Sequence, residues 1–444
     1  MSICLLGNGL LQFQGKESMT KEYAEYEVQR ALHYVCSAES HTQALERFKE
    51  EVELLGDWRI MYASAESGGP FALEREQFSG QGFVSTMLRG KSVWIIDKTS
   101  ALSETRVNYM LVSSLFMDSN TASYIRKLSY VESVSEELEA IRADLQRTFC
   151  ADDLARLNSY IYLCEAQKKW IPKTRQRCKE TIAAVYALSL DEAPLSEGWG
   201  TRYRNRYQDQ AETWAENWIA GFEQTREGGL DVALTQQVAA AECMILRAKI
   251  LENSSTASPE AKMEALLKFM HDELRIFMLR ELIVCADILF HTQKTSLSRK
   301  LNSVLDKKDP LLFINNCAWD LYILRIMESL ANPQRLKGAD FCLDRLITFD
   351  EDLADIMRLT ELRAVAVHLG SHRAYPFFNS ELTGWLAGLI GHRRMAAFAE
   401  NLQEEAFNHR ADFRSVENVQ RVLAQDRLRL MELKAQKLGR PLKT

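Results

Sequence analysis

The chain of 444 residues is 46% hydrophobic and 26% charged, with only 20 Gly and 8 Pro. That composition folds into packed domains and excludes a disordered or fibrous chain. A formal charge of −6 argues against a non-specific nucleic-acid coat protein, and nine singly placed cysteines without a CxxC pair argue against a disulfide framework or a zinc ribbon.

The first residues, MSICLLGNGLLQF, are apolar but lack a basic leading region, so they are not read as a signal peptide. Residues 20–55 carry apolar positions at helical spacing and predict two amphipathic helices broken near Ser40. Gly and Ser clusters over 56–90 predict turns and short strands. KSVWIIDK (91–98) reads as a strand, and RVNYMLVSSLFM (106–117) as a second apolar run. From 121 the spacing turns helical through SEELEAIRADLQRTF, DDLARLNSYIYLCEAQKKW, CKETIAAVYALSL and QAETWAENWIAGFEQ. A Ser/Thr-rich break at 252–262 precedes further helices to 290. The most apolar of these, 275–290, carries Arg280, Glu281 and Asp287 and reads as a core helix, and no run approaches the roughly 20 apolar residues of a membrane span. A cytoplasmic protein with no membrane contact is the expectation.

The last third alternates a helix at 311–330, a strand RLITF (345–349), the helix EDLADIMRLTEL and a strand RAVAVH (363–368). That is the grammar of a parallel sheet with covering helices. The 106–117 strand would join the same sheet across the long helical interval. Residues 395–440 read as charged helix ending in a basic tail.

Acids stand at the ends of these elements. Asp118 follows LFM, and Asp350 follows LITF just before a helix. In an open α/β sheet the ligand crevice lies outside the carboxyl ends of the strands, so parallel neighbours would aim both carboxylates into one crevice. The plainer reading makes both of them helix N-caps. Asp320 lies within the helical pattern NNCAWDLYILRIMESL, mostly among apolar or weakly polar neighbours, where a carboxylate is costly unless paired or bound to a metal. Glu165 sits between an apolar face and the basic pair Lys168 and Lys169.

Taken together, the order and contexts of these acids resemble the PIN-domain family of metal-dependent nucleases. The matching stretches are Phe116-Met117-Asp118-Ser119-Asn120, the helical Glu165, Ala318-Trp319-Asp320-Leu321-Tyr322-Ile323-Leu324, and Thr348-Phe349-Asp350-Glu351-Asp352-Leu353, followed by the apolar strand Ala364–Val367. The resemblance covers about 105–165 and 311–370. It implies an α/β fold with a PIN-like parallel sheet and covering helices, interrupted by a helical insertion over about 167–310. Residues 1–104 then form an N-terminal accessory region and 371–444 a C-terminal helical region.

What the resemblance implies for function is phosphodiester hydrolysis with Mg²⁺ or Mn²⁺ as cofactor, on RNA in preference to DNA, in a toxin- or defence-type setting. Hard divalent cations prefer carboxylate oxygens. Asp118, Asp320 and Asp350 are the implied metal ligands and, with Glu165, the catalytic acids. Asn120, Thr348 and Asp352 would support them through hydrogen bonds. An acidic site acting on an anionic backbone needs a basic rim. QKKWIPKTRQRCK (167–179) supplies Lys168, Lys169, Lys173, Arg175 and Arg177 for nucleic-acid binding, and RYRNRY (202–207) adds Arg and Tyr for phosphates and stacking. The competing expectation is a mostly helical interaction protein in which the acids are caps and salt-bridge partners.

Other signals carry less. His368 and His372 in HLGSH have zinc-like spacing, but Gly370 between them disfavours a helix. GNG (7–9) and SGGP (67–70) lack the rest of a phosphate-loop fingerprint, and no G-x-S-x-G occurs. Trp214 and Trp218 share a helix face and read as core or interface anchors. The helices near 20–55 and 395–435 are candidates for contacts with a second copy or a regulatory partner.

Overall fold

The computed structural model describes residues 19–73, 75–78, 80, 82–105, 107–330, 339–371, 373–378 and 382–439. The N-terminal apolar stretch with GNG, and His372, lie outside the described residues.

Twelve short strands appear among those residues. Five come early: β1 (Trp58–Ser64), β2 (Phe71–Ala72), β3 (Arg75–Phe78), β4 (Gly82–Ser85) and β5 (Ser92–Ile96). Then come β6 (Leu111–Val112), β7 (Leu115–Met117) and β8 (Leu157–Asn158). The last are β9 (Phe341–Cys342), β10 (Arg345–Thr348), β11 (Leu362–His368) and β12 (Ala374–Phe378). The helices that bear on the site and its surroundings are α1 (Met19–Cys36), α2 (His41–Glu50), α3 (Ser119–Tyr130), α4 (Tyr160–Ala166), α5 (Pro172–Leu188), α6 (Gln208–Thr225), α7 (Asp231–Ser254), α8 (Leu279–Leu289), α9 (Ser296–Leu301), α10 (Pro310–Leu330), α11 (Glu351–Leu359), α12 (Glu404–Phe413) and α13 (Val416–Lys437).

The chain is mixed α/β and mostly helical, as its periodicity indicates, but its sheets differ from expectation. Instead of one PIN-like parallel sheet there are two five-stranded sheets, mostly antiparallel, ordered β12-β11-β1-β5-β2 and β3-β4-β10-β7-β8, with a small β6-β9 pair. The reason lies in residues 58–96. The strands there pair directly with the late ones: β1 runs antiparallel to β11, and β4 antiparallel to β10. The boundary read at 104/105 therefore passes through both sheets. β11, expected beside β10, turns back into β12 as an antiparallel neighbour and belongs to the other sheet.

Parallel pairing is found where the acids lie. β10 pairs parallel with β7 in the register Arg345↔Leu115, Leu346↔Phe116 and Ile347↔Met117, and β7 pairs parallel with β8. Just upstream β6 and β9 are also parallel, and Asp344 Oδ1 accepts from Ser114 N at 3.0 Å. Leu115, Phe116 and Met117 are at most 1% exposed, as expected of a strand covered on both faces. Each such side chain contributes roughly 1.5–3 kcal/mol by burial.

Side chains alternate across the first sheet. Met61, Ala63, Val365 and Val367 enter the main core, whereas Ile60, Tyr62, Ala364 and Ala366 join a smaller core under α1 and α2. Ser40 separates those two helices and caps α2 by accepting from Gln43 N. The pattern 152–170, read as one helix, is broken by β8: Asn158 Oδ1 accepts from Tyr160 N at 2.9 Å, which starts α4 anew. Helices from the interval 167–310 contribute to the same main core as the strands. Among the described residues all cysteines are free thiols, and no helix is long and apolar enough to cross a membrane.

Candidate acidic site at the ends of the parallel strands

β7 delivers Asp118 and β10 delivers Asp350 to the same edge, because the strands are parallel and in register. Each acid also caps a helix. Asp118 Oδ1 accepts from Thr121 N at 2.7 Å at the start of α3, and Asp350 Oδ1 accepts from Asp352 N at 2.9 Å at the start of α11. Capping and clustering therefore coincide: a side chain that satisfies a helix N-terminus at a strand end is already aimed at the sheet's edge.

Two hydroxyls tie the acids together. Thr348 Oγ1 donates to Asp118 Oδ2 at 2.5 Å and accepts from Asp350 N at 2.8 Å. Ser119 Oγ donates to Glu165 Oε2 at 2.5 Å, so α4 joins the edge through the residue that follows Asp118. Asn120 reaches Asp350 Oδ2 with its amide at 3.4 Å. Asp320, on α10, is half-buried and has no hydrogen-bond partner among the described residues.

Two lysines balance part of this charge. Lys168 Nζ pairs with Glu165 Oε1 at 3.1 Å and lies 5.2 Å from the centre of the Trp319 ring. Lys300, on α9, donates to Asp352 Oδ2 at 2.6 Å, and Ser296 Oγ bonds the other oxygen of Asp352.

Burial and mutual repulsion set the protonation of the cluster. Burial pushes the Asp118 carboxyl up to about 6, against the bonds from Thr348 and Thr121 and with help from the Glu165 charge. Asp320 is held well above the usual carboxylate range by burial and by the charges of Glu165 and Asp350, which outweigh Lys168. Asp350 is raised by burial, with Asp352 and Glu165 raising it further and Lys300 opposing. All three thus feel the charge of Glu165, and Asp320 also feels that of Asp350, although their elements lie far apart in sequence. In the positions described, no group of three or more His, Cys, Asp or Glu is arranged to hold a metal ion. Hydroxyls or lysines hold Asp118 Oδ2 and both oxygens of Glu165 and Asp352, backbone and Asn120 amides hold Asp350, and Asp320 has no such partner among the described residues.

The expected basic rim divides in two. Arg175 is engaged with α6, its Nε 3.0 Å from Glu223 Oε1 and its Nη2 2.5 Å from Glu216 Oε1. Lys168 is held at Glu165. Lys169, Lys173 and Arg177 are exposed and have no partner among the described residues. In RYRNRY, Arg202 pairs with Asp191 at 3.0 Å and Arg204 donates to the Val131 carbonyl at 3.1 Å, so both support local structure. Trp214 stacks on Tyr186 at 4.3 Å, an anchor between helices, as its helix face suggests.

Sequence reasoning missed Ser119, Thr121, Ser296 and Lys300. Ser119 could have been found from its place directly after a strand-ending acid. Nothing in SLSRKL marks Ser296 and Lys300 as neighbours of Asp352, because that contact spans more than fifty residues of folded chain. Compared with known proteins, the chain matches no family model, no curated protein and no solved structure.

Proposed function

We propose that the chain is a PIN-like nuclease that hydrolyses phosphodiester bonds with Mg²⁺ or Mn²⁺, RNA being the favoured substrate. The observation that carries the reading is the pairing of β7 with β10, which brings Asp118 and Asp350 to one edge with Glu165 bonded beside them and Asp320 electrostatically coupled. The donor chemistry is of the kind a hard divalent cation prefers, although the acids would have to draw together to hold one. The donor set is all oxygen, and its acids are raised by burial and, to a smaller extent, by neighbouring acids whose charge a cation would offset. Such an ion neutralises phosphoryl oxygens and supplies a nucleophile at neutral pH. Asp320, Asp118 and Asp350 would hold it, with Glu165 released from Lys168 as a further oxygen donor. Thr348 keeps Asp118 aimed, and Ser119 keeps Glu165 aimed. Lys169, Lys173 and Arg177 offer charge to the phosphate backbone, and the choice of RNA rests on the family resemblance.

A second reading has its own support: Asp118 and Asp350 serve as N-caps, and Lys168 and Lys300 already pair with neighbouring acids. On that reading the chain is a helical interaction protein and the cluster is structural. Cleavage of single-stranded RNA separates the two. The nuclease cuts only with Mg²⁺ or Mn²⁺, stops with EDTA, and loses roughly a hundredfold or more in the Asp320→Asn variant while keeping its fold. An Asp320→Asn protein that cuts as well as its parent, or a parent that cuts nothing, sinks the nuclease reading.

A further inference from the structure

Away from the acidic edge, α12 and the π-helical turn Met270–Leu274 bring basic side chains together. Arg410 is only 9% exposed. Its Nη1 donates to the Asn401 carbonyl at 2.6 Å and to His271 Nδ1 at 2.9 Å. Its Nε and Nη2 have no partner among the described residues. The His271 ring lies 6.2 Å from that of His409, and His409 lies 4.9 Å from Phe413. The Arg275 guanidinium sits 5.5 Å from the centre of the same Phe413 ring. Asp272 comes within 3.7 Å of His271 Nε2, but no carboxylate pairs with Arg410 or Arg275 among the described residues.

This departs from how the chain treats its other enclosed arginines. Arg280 pairs with Glu328 at 2.5 Å, Arg325 with Glu281 at 2.5 Å, and Arg247 with both Glu273 and Asp426. A guanidinium does not shed its proton in a protein, so burying one without an anion is costly. Burial and the Arg275 charge both press the Arg410 pKa down, the direction expected when the compensating anion is missing. Arg275 itself is held at φ +61°, a left-handed backbone that a non-glycine residue adopts only under constraint, directly after a π-helical turn.

We propose that Arg410, Arg275 and His409, with Arg410 braced by His271, form an anion site that binds a phosphate group, either free or carried by a mononucleotide. Arg410 presents the planar fork that suits phosphate oxygens, and Arg275 adds a second guanidinium. Phe413, 57% exposed, offers a ring beside the site on which a base can stack. None of these residues belongs to the acidic cluster, so the site stands whether or not the chain is a nuclease.

Isothermal titration calorimetry on the full chain, in EDTA and at fixed ionic strength, tests the proposal with inorganic phosphate in one arm and a 5′-mononucleotide in the other. Saturable binding is expected in at least one arm, weakened tenfold or more in Arg410→Met and in Arg275→Gln. Binding at least tenfold tighter for the mononucleotide assigns the phosphate to a nucleotide, and equal affinities assign it to the free anion. Because Arg410→Met alters a buried position, a thermal melt accompanies it, and Arg275→Gln carries the test if Arg410→Met fails to fold. No binding in either arm at tens of millimolar, or a folded variant that binds as its parent does, overturns the proposal.

Discussion

One hydroxyl links Thr348 to Asp118 and, through the neighbouring backbone, to Asp350: it donates to the first at 2.5 Å and accepts from the amide of the second at 2.8 Å. The bond joins residues 230 apart in sequence and holds the ends of β7 and β10 together. Asp118 is 2% exposed, so little water is at hand to replace a missing donor. Thr348→Val keeps the shape of the side chain and removes the hydroxyl. It is expected to cost about 1–3 kcal/mol in urea unfolding and to raise the Asp118 pKa further, because the bond to the charged form is gone. Thr348→Ser should recover most of the loss. A Val variant as stable as the parent would show that the hydroxyl contributes little.

Asp118 also predicts how stability follows pH without added metal. Its folded carboxyl lies at about 6, above the ordinary 3.8. The folded state therefore takes up the proton at higher pH than the unfolded state does. The resulting contribution is fully present below about pH 4 and is lost as pH rises through 6. Its size is about 3 kcal/mol or less. Asp118→Asn removes the titration, and its amide oxygen can still accept from Thr121 N. The variant should follow the parent's stability near pH 4 and exceed it above pH 6. Parallel curves for the two proteins across that range would refute the assignment.

Much of this edge can be read in the sequence, and the failures have physical causes. The strand end at Met117, the strand end at Thr348, the helix around Asp320 and the order of the acids follow from apolar runs and local capping chemistry. The parallel pairing of β7 with β10 is what the family resemblance implies, and the two strand-end acids converge only because that pairing holds. What periodicity does not reveal is partner choice. Nothing local in GFVS or WRIMYAS says that it pairs with β10 or β11, because strand pairing is decided by residues hundreds of positions away. Basic residues pose the same difficulty. Arg175 and Arg177 look alike in sequence, yet only Arg175 turns toward the acids of α6.

If the acids hold a divalent cation, the fold should be stabilised by linkage. Millimolar Mn²⁺ or Mg²⁺ should raise the melting temperature, with Ca²⁺ as a comparison for ion size. Asp320→Asn should remove most of the rise, because it deletes the carboxylate charge that no lysine or hydroxyl already satisfies. The metal-free variant should melt at or above the parent's temperature, since the charges of Glu165 and Asp350 no longer oppose a buried anion there. A melting temperature indifferent to all three ions would count against a metal site.

The two kinds of basic residue on α5 should separate in a binding experiment. Arg175 reaches Glu216 and Glu223 across the helix pair, while Lys169 just before α5 and Lys173 and Arg177 within it face solvent unpaired. Arg175→Gln should lower stability by up to about 1 kcal/mol, the range of a partly exposed ion pair, and leave RNA affinity nearly intact. Replacing Lys169, Lys173 and Arg177 together with Gln should leave the melting temperature within a degree or so of the parent and weaken binding. Removing one cation that neutralises a phosphate should flatten the dependence of log affinity on log salt by about 0.7 for a single strand, so removing three should flatten it by about 2. Fluorescence anisotropy with a labelled single-stranded RNA, in the Asp320→Asn background to prevent cleavage, measures both slopes. A triple variant with the parent's slope would place the nucleic acid elsewhere. A steep drop in affinity in Arg175→Gln at unchanged stability would mean that the ion pairs with α6 open when RNA arrives.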